Sequence, residues 1–147
     1  MRMRTGRQVS GSDNIDAGGA AYGHDQIYDH CSFTWGTDEC FSLNNDKQPK
    51  GLYNITLQNS ILGQGCQNHS CGGLVQTSDK EGVTVFRNLF IDNKTRNFKV
   101  KGLNQFVNNV IYNWGNGAAY NMGGNLQGTL NTVIENNYLS KDQLIHG

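Results

Sequence analysis

Proline occurs once in the 147 residues, and charged side chains make up only 16% of them. Alanine, glutamate and lysine, the residues that build long amphipathic helices, are in short supply, so a helical architecture is disfavoured. No apolar run approaches the roughly 20 residues that a spanning helix needs, which excludes a transmembrane helix. The opening "MRMRTGRQVSGSDN" lacks the apolar stretch of a leader peptide. Twelve basic and twelve acidic side chains cancel, so no global field recruits nucleic acid or an anionic membrane surface, and an anionic ligand would need a local cluster of cations. What is plentiful is glycine, with 19 residues, together with asparagine. Both favour turns, and the expectation is a β-rich, turn-rich single domain over 1–147.

Within that composition lies a repeat. Five segments align without gaps: "QIYDHCSF" from Gln26, "ITLQNSIL" from Ile55, "VTVFRNLF" from Val83, "NQFVNNVI" from Asn104 and "TVIENNYL" from Thr132. Their sixth positions are Cys31, Ser60, Asn88, Asn109 and Asn137. Three residues earlier stand Tyr28, Leu57, Val85, Phe106 and Ile134, and two residues later Phe33, Leu62, Phe90, Ile111 and Leu139, all apolar. Short strands with apolar residues at fixed offsets around a small polar residue predict a corner between two strands, with asparagine adopting the left-handed conformation that the bend requires. Stacked asparagine side chains could bond along the pile. Repeats of this length with one such corner each predict a parallel β-helix. A β-sandwich is the alternative, but its hairpin turns are represented only by Asn116-Gly117. In a solenoid, equal offsets from the corner stack, so the loop carrying Asp38 and Glu39 is expected beside the one carrying Arg96.

Four cysteines occur as two close pairs, Cys31 with Cys40 and Cys66 with Cys71. The spacings do not match paired Cys-x2-Cys zinc ligands, and disulfides are expected over free thiols, their connectivity left open. Glycosylation sequons begin at Asn54, Asn68 and Asn93. Both features point to a secreted protein.

The motifs "DHCSFTWGTDE" at 29–39, "ITLQNSILGQG" at 55–65, "VTVFRNLFIDNKTRNFKVKG" at 83–102 and "FVNNVIYNWG" at 106–115 resemble those of the pectate lyases. The resemblance implies an all-β fold, the right-handed parallel β-helix, and a segment of a longer chain, since "RMRTG" at 2–6 looks like a strand end that relatives carry well inside. It implies β-elimination of an acidic polysaccharide, pectate or polygalacturonate, with bound calcium, by a secreted protein that is monomeric at full length. Carried over by position, Asp13 matches an aspartate of the family's calcium motif, with Gly11 where its partner acid would stand. Asp38 matches an acid of the next calcium pair, with Ser42 in the second acid's place, and Glu39 is a further metal ligand. Arg96 matches the arginine that takes the proton, and calcium with Lys99 or Lys101 is expected to push its pKa down. Bottom-up, the same guanidinium reads as a carboxylate clamp. Lys101 stands for a second, substrate-binding arginine, Phe98 for a common proline, and Cys71 where a substrate-binding lysine would fall. Lys99, Lys101 and His69 are the expected substrate contacts.

The missing acids leave two competitors: a calcium-independent pectin lyase and a non-catalytic β-helix that binds polysaccharide. His30 is expected to pack in the wall, and Trp35 and Trp114 to make structural contacts in preference to stacking on sugar rings. His24 invites comparison with polygalacturonases, but their paired aspartates and Arg-Ile-Lys motif are absent, which disfavours hydrolysis by two carboxylates.

Overall fold

The computed structural model describes residues 1–5, 15–45, 51–66, 69–77, 82–123 and 130–141. Among them there is no helix, and the strands wind in stacked coils. In chain order these are β1 (Arg2–Arg4) and β2 (Gly19–Ala20); β3 (Gly23–Asp29), β4 (Ser32–Thr34) and β5 (Glu39–Asn44); and β6 (Leu52–Gln58), β7 (Ile61–Gly63) and β8 (Cys71–Gln76). There follow β9 (Val83–Phe86), β10 (Leu89–Ile91) and β11 (Lys99–Val107); β12 (Val110–Tyr112) and β13 (Asn121–Met122); and β14 (Leu130–Glu135) with β15 (Tyr138–Ser140).

Every pairing is parallel, and the coils build three walls. The first is β1-β4-β7-β10-β12-β15. The second stacks β2, β5, β8, the start of β11 and β13, and the third β3, β6, β9, the rest of β11 and β14. This is the parallel β-helix expected from the repeat, in the expected register: Gln26 pairs Ile55, Ile55 pairs Val83, Val83 pairs Asn104, and Asn104 pairs Thr132. Asn88 and Asn109 are only 21 residues apart because β11 runs from the second wall into the third without a connecting loop, turning at Gly102, whose φ is +84°. A left-handed φ of this size favours a residue without Cβ.

The corner differs from expectation by one residue. The left-handed conformation belongs to the fifth position of each repeat, His30, Asn59, Arg87, Asn108 and Asn136, with φ between 47° and 56°. The sixth position instead turns inward and ties coil to coil. Cys31 N donates to Ser60 Oγ at 3.0 Å, Ser60 N to Asn88 Oδ1 at 3.0 Å, Asn88 N to Asn109 Oδ1 at 2.9 Å, and Asn109 N to Asn137 Oδ1 at 2.8 Å. The asparagine Nδ2 groups donate back to Leu57 O, Val85 O and Phe106 O. A buried polar group is tolerated when it is bonded in this way. Taking the left-handed position, His30 puts its side chain outward, 77% exposed and paired with Asp29, so it is not the packed wall residue expected.

The core fills the space between the walls. Tyr28, Phe33 and Phe41 pack as one aromatic group and Phe90, Phe98, Phe106 and Tyr120 as another, with Leu57, Leu62, Val85 and Ile111 buried around them. Two of the ten aligned apolar residues, Ile134 and Leu139 on the last described coil, are 44% and 48% exposed.

Candidate active site

Where the first wall gives way to the second, the loops stack through a backbone ladder. Asp38 N donates to Ile15 O, Cys71 N to Asp38 O at 2.9 Å, Gly72 N to Thr95 O at 3.0 Å, and Asn97 N to Ala119 O at 2.8 Å. Glu39 is thus level with Cys71, and Cys71 with Thr95. Two strand spacings, about 9.5 Å, separate the Asp38–Glu39 backbone from that of Arg96, a distance an arginine side chain can span. Arg96 takes φ 52°, which breaks strand alternation there, and the next peptide but one in the loop, Asn97–Phe98, is cis. Its Nη1 donates to Glu39 Oε1 at 2.6 Å. The loop is anchored from below by Asn93, a buried side chain whose Nδ2 donates to Leu62 O and Asn97 Oδ1.

Three carboxylates converge here. One oxygen each of Asp16, Asp38 and Glu39 lies within 4.8 Å of the others. Asp16 Oδ1 also accepts from Glu39 N at 3.0 Å, and its carboxylate is within reach of Ser42. Asp16 therefore stands against Ser42, the residue that occupies the place of the family's second acid. Sequence reasoning missed it because the segment before Gly23 precedes the first aligned repeat, and no period fixes its register. Asp13, the aspartate expected from the family's other calcium motif, lies outside the described residues.

Crowding sets the protonation of this cluster. Burial pushes the Glu39 carboxyl up to about 8, and a hydrogen bond and charge repulsion from Asp38 add to this, against the lowering by Arg96. Asp16 is raised too, first by burial of its carboxylate within an otherwise exposed residue and then by Asp38. For Arg96, burial works against the cation, but the bond from Glu39 and the neighbouring Cys71 and Asp38 outweigh it and hold its pKa above the usual value. One guanidinium cannot offset three carboxylates, so it is the acid, Glu39, that keeps a proton. The downward shift expected for Arg96 depends on calcium bound beside it; paired with Glu39, its pKa stands above the usual value.

His69 Nδ1 lies 2.9 Å from Asp38 Oδ1, which brings this residue to the site as expected. Lys99 and Lys101 are half-buried on the second wall, with Val100 between them turned into the core. Lys99 is in register with Leu74 and Ser42, and Lys101 with Gln76 and Asn44, so both extend the rows that run along the second wall beside the cluster. Trp35 is a corner residue at φ 66°, covered by the Arg4 guanidinium and bonded through Nε1 to Gln64. Trp114 packs on the core and lines a cavity of about 390 Å3 with Ser70 and Lys94. His24 stacks on Tyr53 at 4.5 Å and pairs with Asp25 on the third wall, apart from the acids.

The expected disulfides are not formed; all four cysteines are free. Cys31 sits at a corner with Sγ on Asp29 O, whereas Cys40 belongs to another wall, its Sγ on Gly63 O and Asn93 Oδ1. Cys66 Sγ turns to Gln64 O, and Cys71 is buried at the start of β8. The sequon at Asn93 is likewise corrected, since a side chain 2% exposed cannot receive a glycan; Asn54 is exposed, and Asn68 lies outside the described residues.

Comparison with known proteins identifies the relatives of this chain. A protein of Aspergillus flavus named probable pectate lyase C is 53% identical over 138 residues, 94% of this chain and 30% of that protein. The chain belongs to the pectate lyase family. Similar proteins of the same name from Neosartorya fischeri and Emericella nidulans are 51% identical over 140 residues and 53% over 121, covering 95% and 82% of this chain and 31% and 26% of theirs. The chain thus spans about 30% of the length of the curated pectate lyases it matches. No protein-family model matches it, and no solved structure does.

Proposed function

We propose that the protein to which this chain belongs is a secreted lyase that cleaves an acidic polysaccharide of the polygalacturonate type by calcium-assisted β-elimination. The observation that best supports this is the meeting of Asp16, Asp38 and Glu39 with Arg96 on one side of the coil, in a chain 53% identical to a protein named probable pectate lyase C.

In the reaction, a base takes the proton from the carbon beside the uronate carboxylate. The electron pair left behind forms a carbon–carbon double bond, and the glycosidic carbon–oxygen bond one carbon further on breaks. The carbon acid is weak, so the charge growing on the carboxylate must be neutralised as the proton leaves. Calcium, when bound, supplies that neutralisation, and it prefers hard oxygen ligands. Asp16, Asp38 and Glu39 fit it: three carboxylates share one place, and Asp38 Oδ1 is buried without a hydrogen bond of good geometry. While paired with Glu39, Arg96 is a cation able to hold a uronate carboxylate, and it must leave that partner before it can accept a proton. Lys99 and Lys101, on the adjoining rows, hold further carboxylates of the polymer, and His69 closes the other side.

The engagement of Arg96 by Glu39 also favours a second reading, a metal-free lyase acting on esterified pectin. Incubation of the full-length protein with polygalacturonate and with esterified pectin, with and without chelator, separates the two through the ultraviolet absorbance of the new double bond. Absorbance growth on polygalacturonate that chelator abolishes is expected. Growth on esterified pectin indifferent to chelator supports the second reading, and growth on neither leaves a polysaccharide-binding protein without catalysis.

A further inference from the structure

We propose that Asp38, His69 and Cys71 form a separate, thiolate-containing site for a transition-metal cation of the zinc type, sharing Asp38 with the acid cluster so that such a cation competes with calcium. One ligand atom from each of the three lies within 4.8 Å of the others. The imidazole and carboxylate atoms are already 2.9 Å apart. Ligands about 2.0–2.3 Å from a tetrahedral zinc stand roughly 3.3–3.7 Å from one another, so the His69–Asp38 contact would open by about 0.5 Å, and Cys71 Sγ, within 4.8 Å of both atoms, would close by at most about 1.5 Å.

The donor set distinguishes this site from the acid cluster. One sulfur, one nitrogen and one oxygen suit zinc, cobalt or copper, whereas calcium takes oxygens. Two further observations point to a cation here. Asp38 Oδ1 is buried with no hydrogen bond of good geometry, and Cys71 is fully buried on the interior side of the same place. His69 is 41% exposed and Asp38 23%, which gives an ion a route in, and three protein ligands leave a fourth position open. The balance is simple: the cation binds, the Cys71 thiol proton passes to solvent, and no electron is transferred.

Reduced, chelator-stripped protein is titrated with cobalt(II) alone. The expected result is a near-ultraviolet thiolate-to-cobalt charge-transfer band, saturating at about one cobalt per chain. Cys71→Ser should abolish the band, and Cys66→Ser should leave it. His69→Asn, on a half-exposed residue that the fold does not need, should weaken cobalt binding by more than about tenfold, since even outer-shell changes cost about 10–100-fold. Excess calcium should displace cobalt. No band, a band that survives Cys71→Ser, or unchanged affinity in His69→Asn overturns the site, and the last keeps the test alive should Cys71→Ser fail to fold. A band indifferent to calcium overturns the sharing of Asp38. Only the calcium arm rests on the proposed function: failure of the lyase assay leaves the cobalt band unmoved.

Discussion

Replacing Asn88 by leucine tests whether the asparagine column holds the coils together. The side chain accepts from Ser60 N at 3.0 Å and donates to Leu57 O at 2.9 Å and to Asn109 Oδ1 at 3.1 Å. At 2% exposure, water cannot replace these bonds. Leucine would orphan one buried N–H and one buried carbonyl, each costing about 1–3 kcal/mol, while its apolar surface returns roughly 1–2 kcal/mol. The expected net loss is about 2–4 kcal/mol, a large share of the roughly 5–15 kcal/mol that stabilises a domain. Urea denaturation followed by far-ultraviolet circular dichroism measures it. Gln105→Leu is the control, because that side chain is exposed in the extended backbone of β11, and its effect should stay within about 1 kcal/mol. An Asn88→Leu midpoint equal to that of the control would refute the reasoning.

Further expectations concern the site. Because the Glu39 carboxyl is raised from 4.5 to about 8, its contribution to stability is complete below pH 4.5 and is lost as pH rises through 8. The melting temperature should therefore fall between those limits, and Glu39→Gln should flatten the slope; equal slopes in both proteins would refute the assignment. Arg96→Lys should lower polygalacturonate turnover by about a hundredfold or more while circular dichroism is unchanged; retained turnover would remove Arg96 from the mechanism. At Gly72 a Cβ would meet Asn97 Oδ1 at 2.4 Å and Arg96 O at 2.9 Å, so Gly72→Ala should cost about 1–3 kcal/mol and displace the arginine loop, read as lost turnover. Calcium should raise the melting temperature, by about 2.7 kcal/mol of stability at a hundred times Kd, and Asp38→Asn should erase that shift.

Coil register was legible in the sequence because it is a one-dimensional property: Gln26, Ile55, Val83, Asn104 and Thr132 pair as their spacing requires. The juxtaposition of Glu39 with Arg96 followed from the same count. What escaped it depends on direction in space. His30 and Asn59 precede the inward-turned Cys31 and Ser60 by one residue, and only backbone geometry tells which of the two takes the left-handed conformation. The spacing of Cys31 and Cys40 does not say that they occupy different walls, nor does a sequon say that Asn93 is a buried brace. Asp16 lay outside every repeat and had no register to reveal it.

The amide column of Ser60, Asn88, Asn109 and Asn137 has a direction. Each main-chain donor points toward the following coil, and the asparagine that receives it donates back to a carbonyl of the coil before. A finished coil therefore presents an oriented docking rung to the one that winds after it. Growth by accretion onto an existing rung should outpace formation of the first, which makes the molecule behave, during synthesis, like a short polymer with a slow start and a quick end.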